Sequence, residues 1–412
     1  MGSTLPLAGV RVADLTWMIA GPYGAYLLAR MGAEVIKIEG IDPLDHTRVT
    51  PPFADMQPGP NRSGFVNSLN AAKKSVTLQL RTPAHLELAK EIIAASDVFV
   101  ESFSCGTVDR LGLGYGVVRG LRPDIVMVSC SGFGQTGRDR GLRAYMGTIH
   151  AYTGLNSING YPDGPPKSAG GLWADYSSGA ALVFAVMAAL YHRKRTGQGQ
   201  YVDLSMAEVV ISMMGAAFAG YFLNGRAGAP QGNLTPYAVP NNAYRSREDD
   251  SWVAISIETD AQWELLCKTI GDAALHKPQY RDLAGRLRHA DAIDARISAW
   301  TRGRTALEAT EALQRAGVPA APSSHPTDLL EQPQLRARGF FVTPDHPEIG
   351  PRAIPNLPWR LSSMPLDQCR HAPLLGEHNR EVLGGLGVPD AVIDEIDARR
   401  DEAVRLATEA TL

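Results

Sequence analysis

The first half of the chain alternates short apolar strands with helices, and this alternation constrains the fold more than any other feature. Residues 10–15 are apolar and β-branched, as in a buried strand, and 35–38 repeat the pattern after a helix that Gly32 ends. Strands that alternate with helices predict a parallel, doubly wound α/β sheet covered on both faces. The pattern continues in predicted strands at 75–80, 98–101, 125–130 and 200–204, with predicted helices at 21–31, 83–96 and 175–196.

The start of the chain resembles that of a dinucleotide-binding domain, but it lacks the glycine spacing of such a domain. A strand, a helix and a second strand ending at an acidic residue, here Glu39, are how dinucleotide-binding domains begin. Such domains need Gly-x-Gly-x-x-Gly spacing so that the backbone can approach a pyrophosphate, and only Gly21 and Gly24 are present. We therefore do not expect NAD binding, because fold alone does not determine function.

Two long uncharged stretches, 176–191 and 209–225, have to be assigned to the protein core or to a membrane. Both are shorter than the roughly 18 consecutive apolar residues of a membrane span, and both are interrupted by Ser, Gly or Asn. We expect buried helices there, and a loop at 144–171. After Asn224 the chain becomes rich in Gly, Pro and Asn, which predicts a crossing segment before a second unit with strand 252–257 and helices 261–270 and 306–314.

Composition narrows the class of ligand. The 40 Lys and Arg residues nearly cancel the 43 Asp and Glu residues, leaving a net charge of −3. This balance disfavours a nucleic-acid binder held by bulk charge, but it permits a small anionic ligand. The 4 cysteines and 10 histidines show no metal-ligand or redox spacing, so we expect no metal. The N-terminus has no signal-peptide pattern, so a cytoplasmic protein is expected.

Asp175 is the strongest candidate for chemistry. It follows a glycine-rich segment and stands at the predicted start of a long helix, where the helix dipole and unpaired amides favour an ionised carboxylate. An oriented, ionised carboxylate is what covalent catalysis by an acidic nucleophile requires. An ordinary helix N-cap explains the same local residues, so this pattern alone leaves both interpretations open.

Several cations stand at predicted strand or loop ends. In a doubly wound sheet such ends converge on the ligand crevice, where cations would suit a polyphosphate. Solvated surface charge is the competing interpretation for each of them. The candidates are Lys37, Lys73, Lys74, Arg81 and Arg110. His378 is also conspicuous, and we expect a structural role for it.

The order of several motifs resembles the family III CoA-transferases, whose fold is shared by the α-methylacyl-CoA racemases. The resemblance begins with PLAGVRVADLT at 6–16 and GAEVIKIE at 32–39, and it covers nearly the whole chain. Further matching motifs are AGP at 20–22, KKSV at 73–76, DRLGLGY at 109–115, SGFGQTG at 131–137, GYPDGPP at 160–166, AD at 174–175 and LGEH at 375–378.

The resemblance assigns roles to particular residues. It implies that Asp175 is the nucleophile that carries aspartyl-anhydride and aspartyl-CoA intermediates, with an acyl-CoA thioester as co-substrate, a carboxylic acid as acceptor and no permanent cofactor. Ser104 stands where relatives often carry a cation, and Ile19 where formate/oxalate enzymes carry Gln, so an acyl group bulkier or less polar than oxalate is expected. The implied CoA contacts are Trp17, Met18, Ala20, Arg81, Phe103 and Arg110.

Two alternatives to a transferase follow from the same resemblance. Racemases pair the aspartate with a histidine, but Tyr145 stands at that position and His150 is five residues displaced. A neutral tyrosine with a pKa of about 10 is a poor general base at pH 7. A catalytically silent CoA-binding protein would be expected to lack Asp175, which is present. Transfer of CoA is therefore the expected activity.

The resemblance also implies an architecture. Relatives form homodimers of two interlocked rings, each with a large Rossmann-like domain joined twice to a small α+β domain. In this chain the large domain is expected at 1–224 and 342–412, and the small domain at 243–325. The linkers are expected at 225–242 and 326–341. No nucleic-acid or membrane partner is expected.

Overall fold

The computed structural model describes residues 5–362 and 369–410 and divides the chain into two compact units. The first unit contains the described residues of Met1–Asn156, Ser168–Arg226 and Ala337–Leu412, and the second contains Ser157–Lys167 and Ala227–Arg336. Segment 157–167, which the sequence-based division gave to the large domain, thus clusters with the second unit. Residues 1–4, 363–368 and 411–412 of the predicted large domain lie outside the described residues.

A six-stranded parallel sheet forms the centre of the first unit, as the strand–helix alternation predicts. The strands follow the order β3-β2-β1-β4-β5-β6, and every neighbouring pair is parallel. Carboxyl ends of parallel strands meet at one edge of a sheet, so the segments after β1 and β4 are neighbours there. The strands are β1 (Arg11–Leu15), β2 (Glu34–Glu39), β3 (Lys74–Thr77), β4 (Val98–Glu101), β5 (Val126–Ser131) and β6 (Tyr201–Ser205).

The central strands are buried on both faces because helices cover both sides of the sheet. Every residue of β4 and of β5 is buried, which explains why these strands are continuous apolar runs and do not alternate. The helices of this part are α1 (Ala20–Arg30), α2 (Gly64–Leu69), α3 (Pro83–Ala94), α4 (Thr107–Arg110), α5 (Tyr115–Leu121), α6 (Met146–Tyr152), α7 (Leu155–Ile158), α8 (Trp173–Thr196), α9 (Met206–Ser212) and α10 (Gly215–Asn224).

Two expectations about these helices are wrong. Segment 144–171 is not simply a loop, since α6 and α7 lie within it. The apolar stretch 209–225 is not one buried helix: it breaks between α9 and α10, and α10 has no buried residue. Apolar composition predicted burial, but α10 instead exposes Phe222 and Leu223 at its end.

Length and composition alone would allow α8 to cross a membrane, and would allow α9 with α10 to do so if that bent pair were one span. In the structure α8 buries one stripe, which includes Ala174, Leu182 and Val186. A buried apolar stripe is the pattern of a core helix.

The second unit is a small antiparallel sheet packed with helices. Strands β7 (Asn241–Arg245), β8 (Trp252–Ser256) and β9 (Ala320–Pro322) pair in that order, with β8 antiparallel to both neighbours. Trp263, Tyr280 and Trp300 anchor its own apolar core. The helices here are α11 (Asp260–Ile270), α12 (Leu283–Arg288), α13 (Ala290–Thr301), α14 (Ala306–Arg315), α15 (Asp328–Glu331) and α16 (Pro333–Ala337).

The last part of the chain returns to the first unit. Leu383, Ile393 and Ile396 of its two final helices join the apolar core beside the sheet. Just before them, the Ser75 backbone N–H donates to His378 Nδ1 at 3.3 Å, which is consistent with a structural role for this histidine. The elements are β10 (Phe341–Val342), β11 (Asp345–His346), β12 (Gly350–Pro351), β13 (Ile354–Pro355), α17 (Asn379–Gly385) and α18 (Asp390–Ala410).

Candidate functional site

Close packing of α1 against α8 sets the position of Asp175. A Cβ atom at Gly179 would lie 2.7 Å from the carbonyl oxygen of Ala20, and one at Gly24 would lie 2.9 Å from the carbonyl oxygen of Gly179. Real Cβ contacts are longer, so only glycines allow these backbones to approach so closely. The glycine pattern at the start of α1 thus serves helix packing, which accounts for its failure to match a dinucleotide fingerprint.

Gly179→Ala is therefore expected to destabilise the protein by about 1–3 kcal/mol, as overpacking of a tight contact usually does. Urea unfolding measures this change. The matched control is Gly116→Ala in α5, where the added methyl group meets nothing within 4 Å. We expect that variant to be as stable as the original chain or slightly more stable, because alanine favours a helix. Equal stability of the two variants would contradict the packing argument.

Asp175 faces a cavity of about 340 Å³ within the first unit. Three stretches form most of its walls: the segment between β1 and α1, the segment after β4, and the chain from the end of β5 into α6. Leu172, Asp175 and Met206 complete the lining. The lining residues are Trp17, Met18, Ile19, Ala20, Ser102, Phe103, Ser104, Cys105, Cys130, Ser131, Gly132, Arg140, Leu142, Ala144, Tyr145, Met146, Gly147, Ile149, Leu172, Asp175 and Met206. A concave, mostly apolar cavity with few polar groups is the usual form of a ligand site.

The Asp175 carboxyl group is poorly solvated. It is the third residue of α8, because the helix begins at Trp173, two residues before the predicted start at 175. Burial raises the pKa of Asp175 to about 6, and a backbone hydrogen bond lowers it only partly. Desolvation thus outweighs the stabilisation by the helix N-terminus that the sequence suggests. At pH 7 the group is still mostly ionised, and as a poorly solvated carboxylate it is a stronger nucleophile than an exposed one.

The Cys130 thiol also lies in the cavity wall. Burial raises the pKa of the Cys130 thiol to about 12, so it is neutral at pH 7. Only the thiolate is a good nucleophile. Among the described residues no cluster of three or more His, Cys, Asp or Glu side chains could hold a metal ion.

Ser102 joins the first two walls of the cavity. Its Oγ accepts a hydrogen bond from the backbone N–H of Trp17 at 2.9 Å, and it donates to the Trp17 carbonyl oxygen at 3.1 Å. The rings of Trp17 and Phe103 meet edge to face with centroids 5.6 Å apart. Four predicted CoA contacts, Trp17, Met18, Ala20 and Phe103, therefore share one cavity with Asp175.

Met18 has a strained backbone that buried charges hold in place. Its φ of 66° lies in the left-handed region, which non-glycine residues seldom adopt. The Met18 backbone N–H donates to Asp45 Oδ1 at 3.3 Å, and Lys37 Nζ donates both to Asp45 Oδ2 at 3.1 Å and to the Thr16 carbonyl oxygen at 2.7 Å. Strain of this kind persists only where the surroundings over-determine the conformation, and it is common at ligand sites.

Lys37 and Lys73 fit neither interpretation that the sequence left open, phosphate binding or solvated surface charge. Both side chains are fully buried, Lys37 beside Asp45 and Lys73 beside Asp14 at 2.8 Å. Burial lowers the pKa of Lys73 to about 8, against the attraction of Asp14. The sequence showed cations near strand ends but not that their carboxylate partners lie beside them. Lys74 is likewise occupied, by Glu34 and Glu381.

Arg81 and Arg110 lie outside the cavity lining and are exposed. Arg110 donates to Thr107 Oγ1 at 3.0 Å, and neither arginine forms an ion pair with a described residue. Ser104 is exposed at the cavity edge. The structure thus brings together the proposed nucleophile and the apolar CoA contacts but leaves the two cationic contacts at the surface.

The two residues that bear on racemisation occupy different places. Tyr145 lines the cavity and is 66% exposed, whereas His150 is fully buried and does not line it. His150 Nδ1 lies 2.9 Å from Ser168 Oγ, in the segment that leads to Asp175. Burial lowers the pKa of His150, so this ring is neutral at pH 7. It acts as a tether between α6 and the approach to α8.

The sequence did not identify Ser102 or Arg140 as site residues. Ser102 carried a weak signal, since it follows a predicted strand next to Phe103. Arg140 carried none, because it lies in a segment that looks like a polar loop, yet it lines the cavity.

Comparisons with known proteins show which family the chain belongs to. The chain matches the CoA-transferase family III model over residues 7–379. It is 32% identical to a succinate–glutarate CoA-transferase of Agrobacterium fabrum, over 92% of this chain and 96% of that protein. It is also 32% identical to a succinyl-CoA–D-citramalate CoA-transferase of Chloroflexus aurantiacus, over 96% and 98% respectively. The crystal structure of a CAIB/BAIF family protein from Brucella suis aligns with a TM-score of 0.85 at 28% identity, covering 93% of this chain and 100% of that one. The chain therefore belongs to CoA-transferase family III.

Proposed function

We propose that Asp175 carries CoA between two carboxylic acids through covalent intermediates. Its carboxylate oxygen attacks the donor thioester carbon, the C–S bond breaks, and a mixed anhydride and CoA thiolate result. The thiolate attacks the Asp175 carbonyl carbon, which releases the donor acid and leaves an aspartyl-CoA thioester. The acceptor carboxylate then displaces CoA to form a second anhydride, and CoA thiolate attacks the acceptor carbonyl. The new acyl-CoA leaves, and Asp175 is regenerated as a carboxylate.

One observation carries this proposal: Asp175 shares a mostly apolar cavity with Trp17, Met18, Ala20 and Phe103. An anhydride is hydrolysed where water has access, so a cavity with mostly apolar walls is what the intermediates need. Each step exchanges one activated acyl group for another, and the reaction therefore needs no ATP. We assign stabilisation of the oxyanions to backbone amides of the glycine-rich approach to Asp175.

We propose a succinyl thioester as donor and a dicarboxylic acid as acceptor. The two relatives compared above are named for succinate or succinyl-CoA with a second dicarboxylic acid. Ile19, which is nearly buried in the cavity wall, supports an acyl group larger and less polar than oxalate. We assign the CoA phosphates to Arg81 and Arg110, because both are exposed and have no carboxylate partner among the described residues.

The cavity favours transfer over racemisation. Proton removal and return at an α-carbon on opposite faces needs two bases. Of the lining residues, Asp175 alone is ionised as a base at pH 7, and His150 is not in the wall. Incubation with an (R)-2-methylacyl-CoA in D₂O should therefore give no α-deuterium, and incorporation without an acceptor acid would favour the racemase.

Trapping of the aspartyl thioester tests the proposed function directly. Incubation with succinyl-CoA followed by borohydride should reduce the thioester to an alcohol, and peptide mass spectrometry should place the change on Asp175. The Asp175→Asn variant should give no reduced product. The Asp291→Asn variant, which alters an exposed aspartate of α13, should give the same product as the unaltered chain. Transfer of CoA without any trapped product would contradict the covalent mechanism.

We also propose that the chain forms the interlocked dimer of its relatives, with a Rossmann-like large domain and two linkers at 225–242 and 326–341. Exposed apolar side chains on α8 and α10 support this proposal: Phe184, Phe222 and Leu223 are 78%, 77% and 81% exposed. Large apolar side chains exposed in this way are suited to burial in an interface. Gel filtration with light scattering should give twice the chain mass of 44.3 kDa, and a stable folded monomer would contradict the proposal.

A further inference from the structure

The cavity has one wall that the proposed CoA contacts do not use. If CoA enters along Trp17–Ala20 and Phe103, as the proposed function has it, and its thioester reaches Asp175, the acyl group must extend toward the remaining wall. That wall is the chain from Arg140 to Ile149. The following inference rests on this part of the proposed function.

This acyl wall, defined as the lining residues from Arg140 to Ile149, is apolar except for Arg140 at one end and the hydroxyl group of Tyr145. Leu142, Ala144, Met146 and Ile149 supply aliphatic surface, and Tyr145 supplies a phenol. Arg140 is its only charged member. An acyl chain that fits such a wall has a hydrocarbon middle and an anionic end.

Arg140 lacks an anionic partner in the described residues. Its Nη1 donates to the Gly137 carbonyl oxygen at 3.2 Å, and it forms no ion pair. Its neighbour Arg138 differs, since Arg138 Nε lies 3.0 Å from Asp139 Oδ1 and Arg138 does not line the cavity. The one other ionised group among the lining residues is Asp175, which the proposed reaction uses as its nucleophile. The cationic charge of Arg140 is therefore available to a ligand.

We propose that Arg140 binds the distal carboxylate of a dicarboxylic acyl group and so selects dicarboxylic over monocarboxylic substrates. A guanidinium presents two parallel N–H donors that match a carboxylate. The distal carboxylate keeps its charge throughout the reaction, so Arg140 holds it without taking part in bond making. Donor and acceptor occupy the same subsite in turn, and the selection applies to both.

The test compares two thioesters of equal chain length, succinyl-CoA and butyryl-CoA, which differ in the distal carboxylate. Arg140→Gln should lower kcat/KM for succinyl-CoA by about 10- to 100-fold, the range expected for loss of a hydrogen-bonded ion pair. The kcat/KM for butyryl-CoA should change by less than about twofold, because this donor has no distal carboxylate. Arg140→Lys should recover part of the succinyl-CoA activity. Arg138→Gln is the matched control and should alter neither value.

Each other outcome overturns the proposal. An equal loss with both donors would place Arg140 on the CoA phosphates, and no loss with either would remove it from the site. An unaltered chain that uses butyryl-CoA better than succinyl-CoA would also contradict the selection. Failure of the proposed function is distinguishable, because the unaltered chain would then give no borohydride-trapped product on Asp175 with either donor.

Discussion

Asp175→Ala is expected to lower CoA transfer by at least about 10³-fold, since removal of a covalent nucleophile leaves only binding and oxyanion stabilisation. Asp175→Asn should be equally inactive, because an amide oxygen cannot replace an ionised carboxylate. Steady-state transfer from succinyl-CoA to a dicarboxylic acid measures both. Asp291→Asn should retain full turnover. If Asp175→Ala retained turnover, the nucleophile would have to be another group.

The same carboxylate should cost the protein stability. The pKa of Asp175 is raised to about 6 by burial, from an ordinary 3.8, so the folded state binds its proton more tightly than the unfolded state. Ionisation therefore destabilises the fold, fully above pH 6 and not at all below the unfolded pKa. Asp175→Asn should resist urea better than the unaltered chain at pH 8, and the difference should vanish near pH 4. A less stable Asp175→Asn at pH 8 would contradict the buried position.

Arg48→Met should cause the largest loss of stability of any single substitution considered. Arg48 and Glu39 are fully buried, and two hydrogen bonds of 2.7 Å join the guanidinium to the carboxylate. Burial alone would raise the pKa of Glu39, but Arg48 holds it at about 2. Removal of one partner from a buried pair leaves an uncompensated charge, which costs about 3–5 kcal/mol. Urea unfolding at pH 7 measures this loss.

Two comparisons make the Arg48 result specific. The loss should be smaller at pH 4 than at pH 7, because Glu39 of the variant, buried without Arg48, becomes protonated as the pH falls and loses its unpaired charge. In the unaltered chain the pKa of about 2 keeps Glu39 ionised and paired at pH 4. Arg315→Met removes an exposed partner of Glu311 and should change little, as surface pairs contribute weakly. A double variant, Glu39→Gln with Arg48→Met, should recover part of the stability. A loss below about 1 kcal/mol for Arg48→Met would contradict the argument.

The sheet was predictable because its signal is local. A continuous apolar run such as β5 can be read directly from the sequence, and the strand–helix alternation implies parallel pairing. The exposure of α10 was not predictable, since the sequence of an apolar helix does not show whether its own chain covers it. Whether Phe222 is exposed depends on how the rest of the unit packs.

The site was predictable in part for the same reason. Asp175 stood out locally, and the resemblance linked it to the residues around Trp17. The burial of Lys37 was not predictable, because the sequence does not show that its partner Asp45 lies beside it. A charged residue on a strand is expected to be solvent-exposed unless such a partner is known. Arg140 was missed because the sequence does not show that the fold places it in the wall of the cavity that contains Asp175.

The interlocking of Gly24 and Gly179 has a consequence for how the catalyst can change. The helix α1 begins at Ala20 and therefore directly follows the Trp17–Ala20 segment. The helix α8, which packs closely against α1, carries Asp175 near its own start. This close packing fixes the Trp17–Ala20 segment relative to Asp175, while the chain around Arg140 and Tyr145 belongs to neither helix. Substitutions in that segment can therefore change the shape of the cavity wall without disturbing the contact between the two helices.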